Sequence, residues 1–455
     1  MRPPGSACFA LLSVFAVAVA ADDRPPNVVF ILADDLGYAD VGCYGQKTIA
    51  TPNIDRLAAD GVRFTQFYAG STVCAPSRSV LITGQHTGHT TIRGNAKFGL
   101  RAEDHSVAEM FKQAGYATAI IGKWGLGAEG SDATPSHKGF DYFFGYLDQT
   151  HAHNYYPTFL IRNDARVPLR NVVPNEGQYG QGVATTRVDY SAALIADEAV
   201  AFLRRQTKER PFFLLYAPTL PHANNEGKPD GMEDPGRDAF DKDNWPGAEK
   251  GFAAMVTRLD RDVGRIVAEL EKLGVAGDTL VIFTSDNGPH AEGGHDPQFF
   301  HSSGPLTGHK RDLTEGGIRE PFIARWPGHI KAGVTSEHVG YFGDFFATAA
   351  ELTGVRTPPN LDSLSFLPAL LGRTQAPHEF LYWEFYEESG QAVRFGDWKA
   401  IRRPMLTGRI ALYDLKSDQA EQHDVASAHP DLVTKAKAYM DQSHVPSPLW
   451  PDKAK

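Results

Sequence analysis

Apolar and polar positions along this chain repeat in a fixed order. A short unbroken apolar run comes first, then charged or hydrogen-bonding residues, then a stretch with helical spacing. Asn27-Val28-Val29-Phe30-Ile31-Leu32 is the first such run, and the polarity switches abruptly at Asp34-Asp35. Ala117 to Ile121, Phe212 to Tyr216 and Leu280 to Phe283 are three more. A strand that is apolar at every position has both faces covered, which is the condition of a parallel sheet packed between helices. Between the runs, Thr51-Pro52 caps a short helix that Gly61 stops, and 189–206 and 250–273 carry the spacing of longer amphipathic helices. Strands alternating with helices predict a wound α/β sheet. Past about residue 355 the texture changes. Phe380 to Phe385, Ala392 to Phe395, Trp398 to Arg402 and Ile410 to Tyr413 are short strand patterns, followed by a helix near 430–441. The expected organisation is therefore a large α/β domain over 21–355 and a smaller α+β subdomain over 356–455.

The polar residues behind the apolar runs are the first candidates for chemistry. Asp34-Asp35 follow the first run, Lys123 the second, His222 the third and Asp286-Asn287 the fourth. Open α/β sheets bind ligands at the carboxyl ends of their strands, so these groups are expected to converge although they lie far apart in sequence.

Composition narrows the class. With 42% hydrophobic and 11% aromatic residues in 455, the chain has enough apolar material for a large core and none of the bias of a disordered protein. Residues 1–20 read as an export signal: Arg2 is their only charge, an apolar run extends from Cys8 to about Val19, and Ala18-Val19-Ala20 fits a small-residue cleavage site. That run is too short to span a bilayer, so an exported protein, periplasmic or secreted, is expected. Cleavage removes Arg2 and leaves 44 basic against 55 acidic side chains. An acidic chain lacks the basic footprint of a nucleic-acid binder, yet can still take an anionic substrate if its cations gather in one pocket. Only Cys43 and Cys74 remain after cleavage, so a disulfide framework is not expected. Cys43, in Gly42-Cys43-Tyr44-Gly45, reads as a small buried residue.

Cys74 stands in the sharpest motif of the chain, Cys74-Ala75-Pro76-Ser77-Arg78, with Leu81 and Thr83-Gly84 behind it. Pro76 suits the first turn of a helix, which would put residue 74 at the positive helix end, facing an anion. Arg78 lies one turn on and on the same face, where it can hold the nucleophile and neutralise charge. Asp34, Asp35, Asp286 and Asn287 offer carboxylate and amide oxygens, hard ligands suited to Ca²⁺ or Mg²⁺ rather than zinc.

These segments together resemble the type I sulfatases, whose Cys-x-Pro-x-Arg signature directs oxidation of the cysteine to formylglycine. The resemblance runs from about residue 26 into the C-terminal subdomain and keeps the family's motif order. It implies an alkaline-phosphatase-like fold, a wound mixed sheet flanked by helices with a smaller C-terminal α+β subdomain. It also implies a divalent cation, usually Ca²⁺, on Asp34, Asp35, Asp286 and Asn287. Gly122-Lys123-Trp124-Gly125-Leu126-Gly127 is similar to the family's Gly-Lys-Trp-His-Leu-Gly, so Lys123 matches a sulfate-binding lysine. His222, in Leu220-Pro221-His222, matches the histidine that protonates the leaving alcohol. Lys310, in Gly308-His309-Lys310-Arg311 ahead of Glu315-Gly316-Gly317-Ile318-Arg319, matches a second sulfate-binding lysine. The implied nucleophile is the hydrated aldehyde at position 74, and a formylglycine-generating enzyme is the implied maturation partner.

One position departs from the pattern. Gly125 stands where the family has a histidine, which leaves the sulfate-releasing half of the reaction without a base. His151-Ala152-His153-Asn154-Tyr155-Tyr156-Pro157 is the candidate donor, dense in polar and aromatic groups that also suit a sugar, so His151, His153 and Asn154 are substrate-binding candidates. His295, His301 and His309 are weaker ones near Lys310. The expected activity is hydrolysis of sulfate esters, with a sulfated sugar or polysaccharide as substrate. A phosphomonoester or phosphonate hydrolase of the same superfamily is the alternative enzyme. A non-catalytic glycan-binding protein is the alternative if Cys74 is never converted.

Overall fold

The computed structural model describes residues 24–95, 98–359 and 361–451, so the expected export signal lies outside the described residues. The four apolar runs are adjacent strands. In chain order the strands are β1 (Asn27–Ala33), β2 (Val62–Tyr68), β3 (Ala117–Lys123), β4 (Tyr142–Tyr146), β5 (Phe159–Arg162), β6 (Ala165–Pro168), β7 (Phe212–Ala217), β8 (Thr279–Ser285), β9 (Arg319–Arg325) and β10 (Val334–Tyr341). They form one mixed sheet in the order β10-β2-β9-β8-β1-β7-β3-β4-β5-β6. β8, β1, β7, β3 and β4 run parallel at its centre, with Phe30 of β1 opposite Leu215 of β7 and Ile282 of β8. β9 runs antiparallel to both β8 and β2, and β5 antiparallel to β4.

β1 shows why no alternation is visible in its sequence. Val28, Phe30 and Leu32 point into one core, covered by the helices Cys74–Thr83, Val107–Gln113 and Asp344–Thr353. Val29, Ile31 and Ala33 point into the other, covered by Pro52–Ala59, Ser191–Arg204 and Gly247–Lys272. Burying each large aliphatic or aromatic side chain contributes about 1.5–3 kcal/mol, so a strand filling two cores at once is strongly fixed in place. The helix at Pro52–Ala59 begins where expected, but Thr51 makes no side-chain cap. Its hydroxyl instead hydrogen-bonds Asp55, and the Asp260 carboxylate, from the neighbouring long helix, accepts from the N–H groups of Asn53 and Ile54.

A second, antiparallel sheet contains β11 (Leu381–Phe385), β12 (Gly390–Phe395), β13 (Trp398–Arg403) and β14 (Arg409–Asp414) in sequence order, with the helix Pro430–Ser443 packed on it through Ala436, Tyr439 and Met440. Several buried polar links join it to the main body, among them the Arg93–Glu384 pair at 3.0 Å. Lys399 Nζ lies 2.9 Å from Glu315 and 3.0 Å from Glu421, and the Trp383 indole donates to the Ala69 carbonyl at 2.9 Å. Among the described residues no helix is long and apolar enough to cross a membrane.

Candidate functional site

The carboxyl ends of β1, β3, β7 and β8 open onto one buried cluster. Asp34 and Asp35 leave β1 through a constrained turn. Asp35 has φ +66, a left-handed conformation uncommon for a residue with a side chain. Asp34 N–H donates to the Leu220 carbonyl at 3.0 Å, and Asp35 N–H to Asp286 Oδ1 at 3.1 Å. The turn therefore binds the loops after β7 and β8 together, and backbone held in such a region is a mark of functional sites.

Cys74 is the first residue of a helix buried at every position. Its Sγ lies 3.3 Å from Asp34 Oδ1 and 3.9 Å from Asp35 Oδ1, and the residue is 2% exposed. Burial, reinforced by the Asp34 charge, pushes the thiol well above its ordinary pKa. One turn on, Arg78 donates Nε to Asp286 Oδ2 at 2.9 Å, places a terminal nitrogen 2.8 Å from the same oxygen and 3.6 Å from Asp34, and donates to the Lys123 carbonyl at 2.7 Å. Lys123, at the end of β3, pairs with Asp34 Oδ2 at 2.7 Å. Lys310 pairs with Asp35 Oδ2 at 2.8 Å and Glu292 Oε2 at 2.9 Å. All three cations are at most 3% exposed.

The charges are held in close opposition: Arg78, Lys123 and Lys310 face Asp34, Asp35 and Asp286, and Glu292, which also meets Lys310, is shared with Arg311 at 2.7 Å. Burial and the neighbouring Asp34 push Asp286 up to about 7. Asn287 donates Nδ2 to Asp35 Oδ1 at 2.7 Å, while its buried Oδ1 has no partner. A fully buried amide oxygen without a donor is costly, and so is a buried carboxylate crowded by other carboxylates. A hard divalent cation held by Asp34, Asp35, Asp286 and Asn287 would meet both needs, so the residues present fit one.

His222 follows β7 and stands across from Cys74. Its Nδ1 lies 2.7 Å from the Ala223 carbonyl and so carries the proton, leaving Nε2 at 3.3 Å from Lys310 Nζ and 3.4 Å from Asp35. Burial pushes its pKa down to about 3, against the pull of Asp35, so the resting imidazole is neutral and accepts from the Lys310 ammonium. The Tyr155 hydroxyl sits 2.6 Å from both the Thr219 and His222 carbonyls and braces this loop. His153 stacks on the His222 ring, with centroids 5.0 Å apart and planes 15° from parallel, and its Nδ1 lies 3.3 Å from Glu226.

The other candidates are placed elsewhere. His151 lies in the wall of a neighbouring cavity, packed against Tyr146 and Phe159. Asn154 is fully buried, with its amide spent on the Gly180 carbonyl and the Tyr156 N–H. His295 is held by Glu249 at 2.7 Å and stacked on Phe252, and His309 bonds the Lys310 carbonyl. Cys43 is half-buried rather than fully enclosed, with its thiol pushed up to about 12 by burial and Asp55. At Gly125, φ is +73 and an added Cβ would come within 2.1 Å of Gln149 Nε2. Gln149 thus fills the space beside this position, where the family pattern has its histidine.

Three contributors were not foreseen from the sequence. Glu292 grips Lys310 and, at 2.7 Å, Arg311; Glu226 holds His153; Gln149 closes over Gly125. Only Glu292 carried a signal, since it shares the loop after β8 with Asp286 and Asn287.

Comparison with known proteins gives this constellation a context. The family model described as sulfatase matches residues 26–355, and one described as N-sulphoglucosamine sulphohydrolase, C-terminal, matches 308–444. Human (Homo sapiens) arylsulfatase A is 35% identical over 495 residues, covering 96% of this chain and 90% of the relative. The N-acetylgalactosamine-6-sulfatase of Sus scrofa is 33% identical over 408 residues, covering 86% and 74%. Among solved structures, Ps i-CgsB in complex with k-i-k-neocarrahexaose superposes with a TM-score of 0.77 at 26% identity, covering 95% of this chain and 96% of that one.

Proposed function

The chain belongs to the sulfatase family and is a sulfuric ester hydrolase; from that premise we propose that it desulfates a sugar unit, galactose or galactosamine, with a nucleophile made by oxidising Cys74 to formylglycine beside Ca²⁺. The observation that carries the reading is the convergence of Cys74 with three buried cations on the same pair of strand-end aspartates. The sugar is supported by the names of relatives that act on N-acetylgalactosamine sulfate and by a neighbour solved with a carbohydrate chain. Formylglycine would supply a hydrated aldehyde, an oxygen nucleophile with a built-in release route. Ca²⁺ on Asp34, Asp35, Asp286 and Asn287 would supply Lewis-acid polarisation of the ester.

The remaining chemistry falls to the protein's own groups. Arg78, Lys123 and Lys310 offset charge on the sulfuryl oxygens from fixed, water-excluded positions, which is preorganised electrostatic stabilisation. The resting Nε2 of His222 carries no proton and accepts from Lys310, so the proton that reaches the departing alcohol comes from the Lys310 ammonium through Nε2, leaving Lys310 as a neutral amine until water reprotonates it. His153, held by Glu226 and packed on His222, takes the place of the missing histidine as the base for sulfate release. An exported location, reached through the signal at 1–20, and a formylglycine-generating maturation enzyme complete the reading.

The test is sulfate release from positional isomers of sulfated galactose, galactosamine, glucosamine and fucose. The protein is co-produced with a formylglycine-generating enzyme, and Cys74→Ala serves as control. Release from one isomer, absent in the control, is expected. A converted residue 74 with no release from any sulfated sugar, or higher efficiency on the matching phosphate ester, would overturn the assignment.

A further inference from the structure

The helix that presents residue 74 makes no side-chain cap at its own start. Val73, the residue before Cys74, is apolar, so the N–H groups of the first turn need acceptors from outside the helix. The Ala75 N–H finds one in Asn95, whose Oδ1 lies 3.3 Å away although the two residues are 20 apart in the chain. That bond decides which way the carboxamide points. A backbone N–H can only donate, so the oxygen faces Ala75 and the Nδ2 amino group faces away from it. Among the described residues Nδ2 has no hydrogen-bond partner. Cys74 and Ala75 are each 2% exposed, whereas Asn95 is exposed. An oriented, uncommitted donor therefore stands at the surface against the residue that follows the nucleophile.

The donor is held in place from the smaller subdomain. Asn95 N–H donates to Glu387 Oε1 at 2.6 Å, and Gly94 lets that carboxylate approach, since an added Cβ there would come within 2.7 Å of both its oxygens. Arg93, 3% exposed, donates to Glu384 Oε1 at 3.0 Å and to the Val445 carbonyl at 2.7 Å. The Trp450 indole donates to the Thr91 carbonyl at 2.8 Å. Glu384 lies in β11 and Glu387 just beyond it, while Val445 and Trp450 follow the last helix, so residues 91–95 are gripped along their length. A donor fixed in this way has lost its freedom before a ligand arrives, which favours binding. The buried cations leave this role open. Arg78, Lys123 and Lys310 already face the strand-end aspartates and suit the sulfuryl group. Outside that cluster, toward solvent, lies the alcohol part of the ester, and a neutral amide N–H matches the neutral oxygens of a sugar.

We propose that Asn95 is a specificity-determining residue that donates from Nδ2 to an oxygen of the same sugar ring that bears the sulfate, and so favours sugar sulfates over sulfates of alcohols without such an oxygen. The inference rests on the sulfated-sugar reading above. Its test uses the full chain with residue 74 converted. It compares kcat/KM on the sulfated sugar that wild type desulfates with kcat/KM on para-nitrophenyl sulfate, in wild type, Asn95→Ala and Asn95→Asp. Both substrates present the same sulfate, so the ratio of the two efficiencies isolates the sugar. In Asn95→Ala that ratio is expected to fall by about five- to tenfold, the effect of one hydrogen bond, and mainly through KM for the sugar. Asn95→Asp keeps an acceptor for the Ala75 N–H and with it the wild-type melting temperature, but it presents no N–H to the sugar. Its ratio is expected to fall as well. Equal losses on both substrates in Asn95→Ala, or a ratio restored to the wild-type value in Asn95→Asp, would reduce Asn95 to a helix cap and overturn the proposal. Failure of the parent reading looks different: converted wild type would hydrolyse para-nitrophenyl sulfate yet release sulfate from no sugar, and the role of Asn95 would fall with it.

Discussion

Replacing His153 by alanine separates a base from a brace. The His153 ring lies face to face with His222 at 5.0 Å, and its Nδ1 is paired with Glu226 at 3.3 Å. If His153 only props His222, the loss is that of one aromatic pair, about 0.5–1.5 kcal/mol, plus a partly exposed ion pair of about 0–1 kcal/mol. Such a loss slows turnover by about tenfold, and it acts on the proton transfer to the alcohol, because His222 is what moves. If His153 is the base for sulfate release, removing it costs about 10²–10⁴-fold, and it acts after the alcohol has left. Rapid-mixing kinetics on a chromogenic aryl sulfate distinguish the two. The expected result is a stoichiometric burst of alcohol at near-normal rate, then a steady state slowed by more than about a hundredfold, with KM falling alongside kcat. Glu226→Gln should show the same burst with a milder slowing, because the imidazole remains while its carboxylate partner is neutralised. A His153→Ala protein that releases alcohol and sulfate in step, slowed tenfold or less, would refute the assignment and return His153 to a packing role.

Chelation is expected to lower both activity and melting temperature, and Ca²⁺ to restore both. At a concentration a hundredfold above its dissociation constant the ion adds about 2.7 kcal/mol, an increment that Asn287→Ala should remove; calorimetry showing the same melting curve with and without chelator would refute it. His86, remote from the strand-end cluster, is pushed down to about 4 by burial despite the opposing pull of Asp362. A depressed histidine favours the unfolded state once that state protonates, so its contribution is intact above about 6.5 and drains away as pH falls toward 4, by about 1.4 kcal/mol per unit. The stability advantage of wild type over His86→Gln, measured by urea unfolding, should therefore shrink by up to about 3 kcal/mol across that window, and a constant difference would refute the linkage. Gly125→Ala should cost about 1–2 kcal/mol for the left-handed backbone alone, plus the displacement of Gln149. Gln149→Ala in the same protein should recover only the second part, and strictly additive effects in the double-mutant cycle would show that the two residues do not compete for space.

How much of this was legible in the sequence follows from which forces act locally. The central strands were readable because strands buried on both faces need no alternation, and the groups at their carboxyl ends were readable because the sheet brings those ends together. β2 and β9 were not. Val62–Tyr68 is only half apolar, and Arg319–Arg325 begins with Arg319 and Glu320, charges that the chain pattern assigns to the surface but that the fold buries. Arg319 is accommodated by Glu315 at 3.2 Å and by the Tyr38 ring, partners 4 and 281 residues away. The same limit applied to the histidines at 151 and 153. They lie two residues apart in a 3-10 turn, where about three residues complete a turn, so their side chains diverge. Spacing alone could not say which would meet His222; that depended on Tyr155 and the loop after β7.

The setting of Cys74 bears on why this site would need a converted residue. The helix end and three cations suggest at first a stabilised thiolate, as in enzymes that use cysteine directly. Here the cations are already committed to Asp34, Asp35 and Asp286. The thiol lies against two of those acids and is driven away from ionisation, so as an anion it would meet repulsion from the groups suited to hold Ca²⁺. A neutral oxygen nucleophile at the same position avoids that repulsion, since it can donate a hydrogen bond to an aspartate while its other lone pair faces the ester. With a divalent cation held on Asp34, Asp35, Asp286 and Asn287, the lysines and arginine now paired with those carboxylates would be available to the sulfate. On this argument the aspartates that make Cys74 a poor thiolate are the same groups that suit the site to a metal, and a metal on them would leave the neighbouring cations free to face the sulfate.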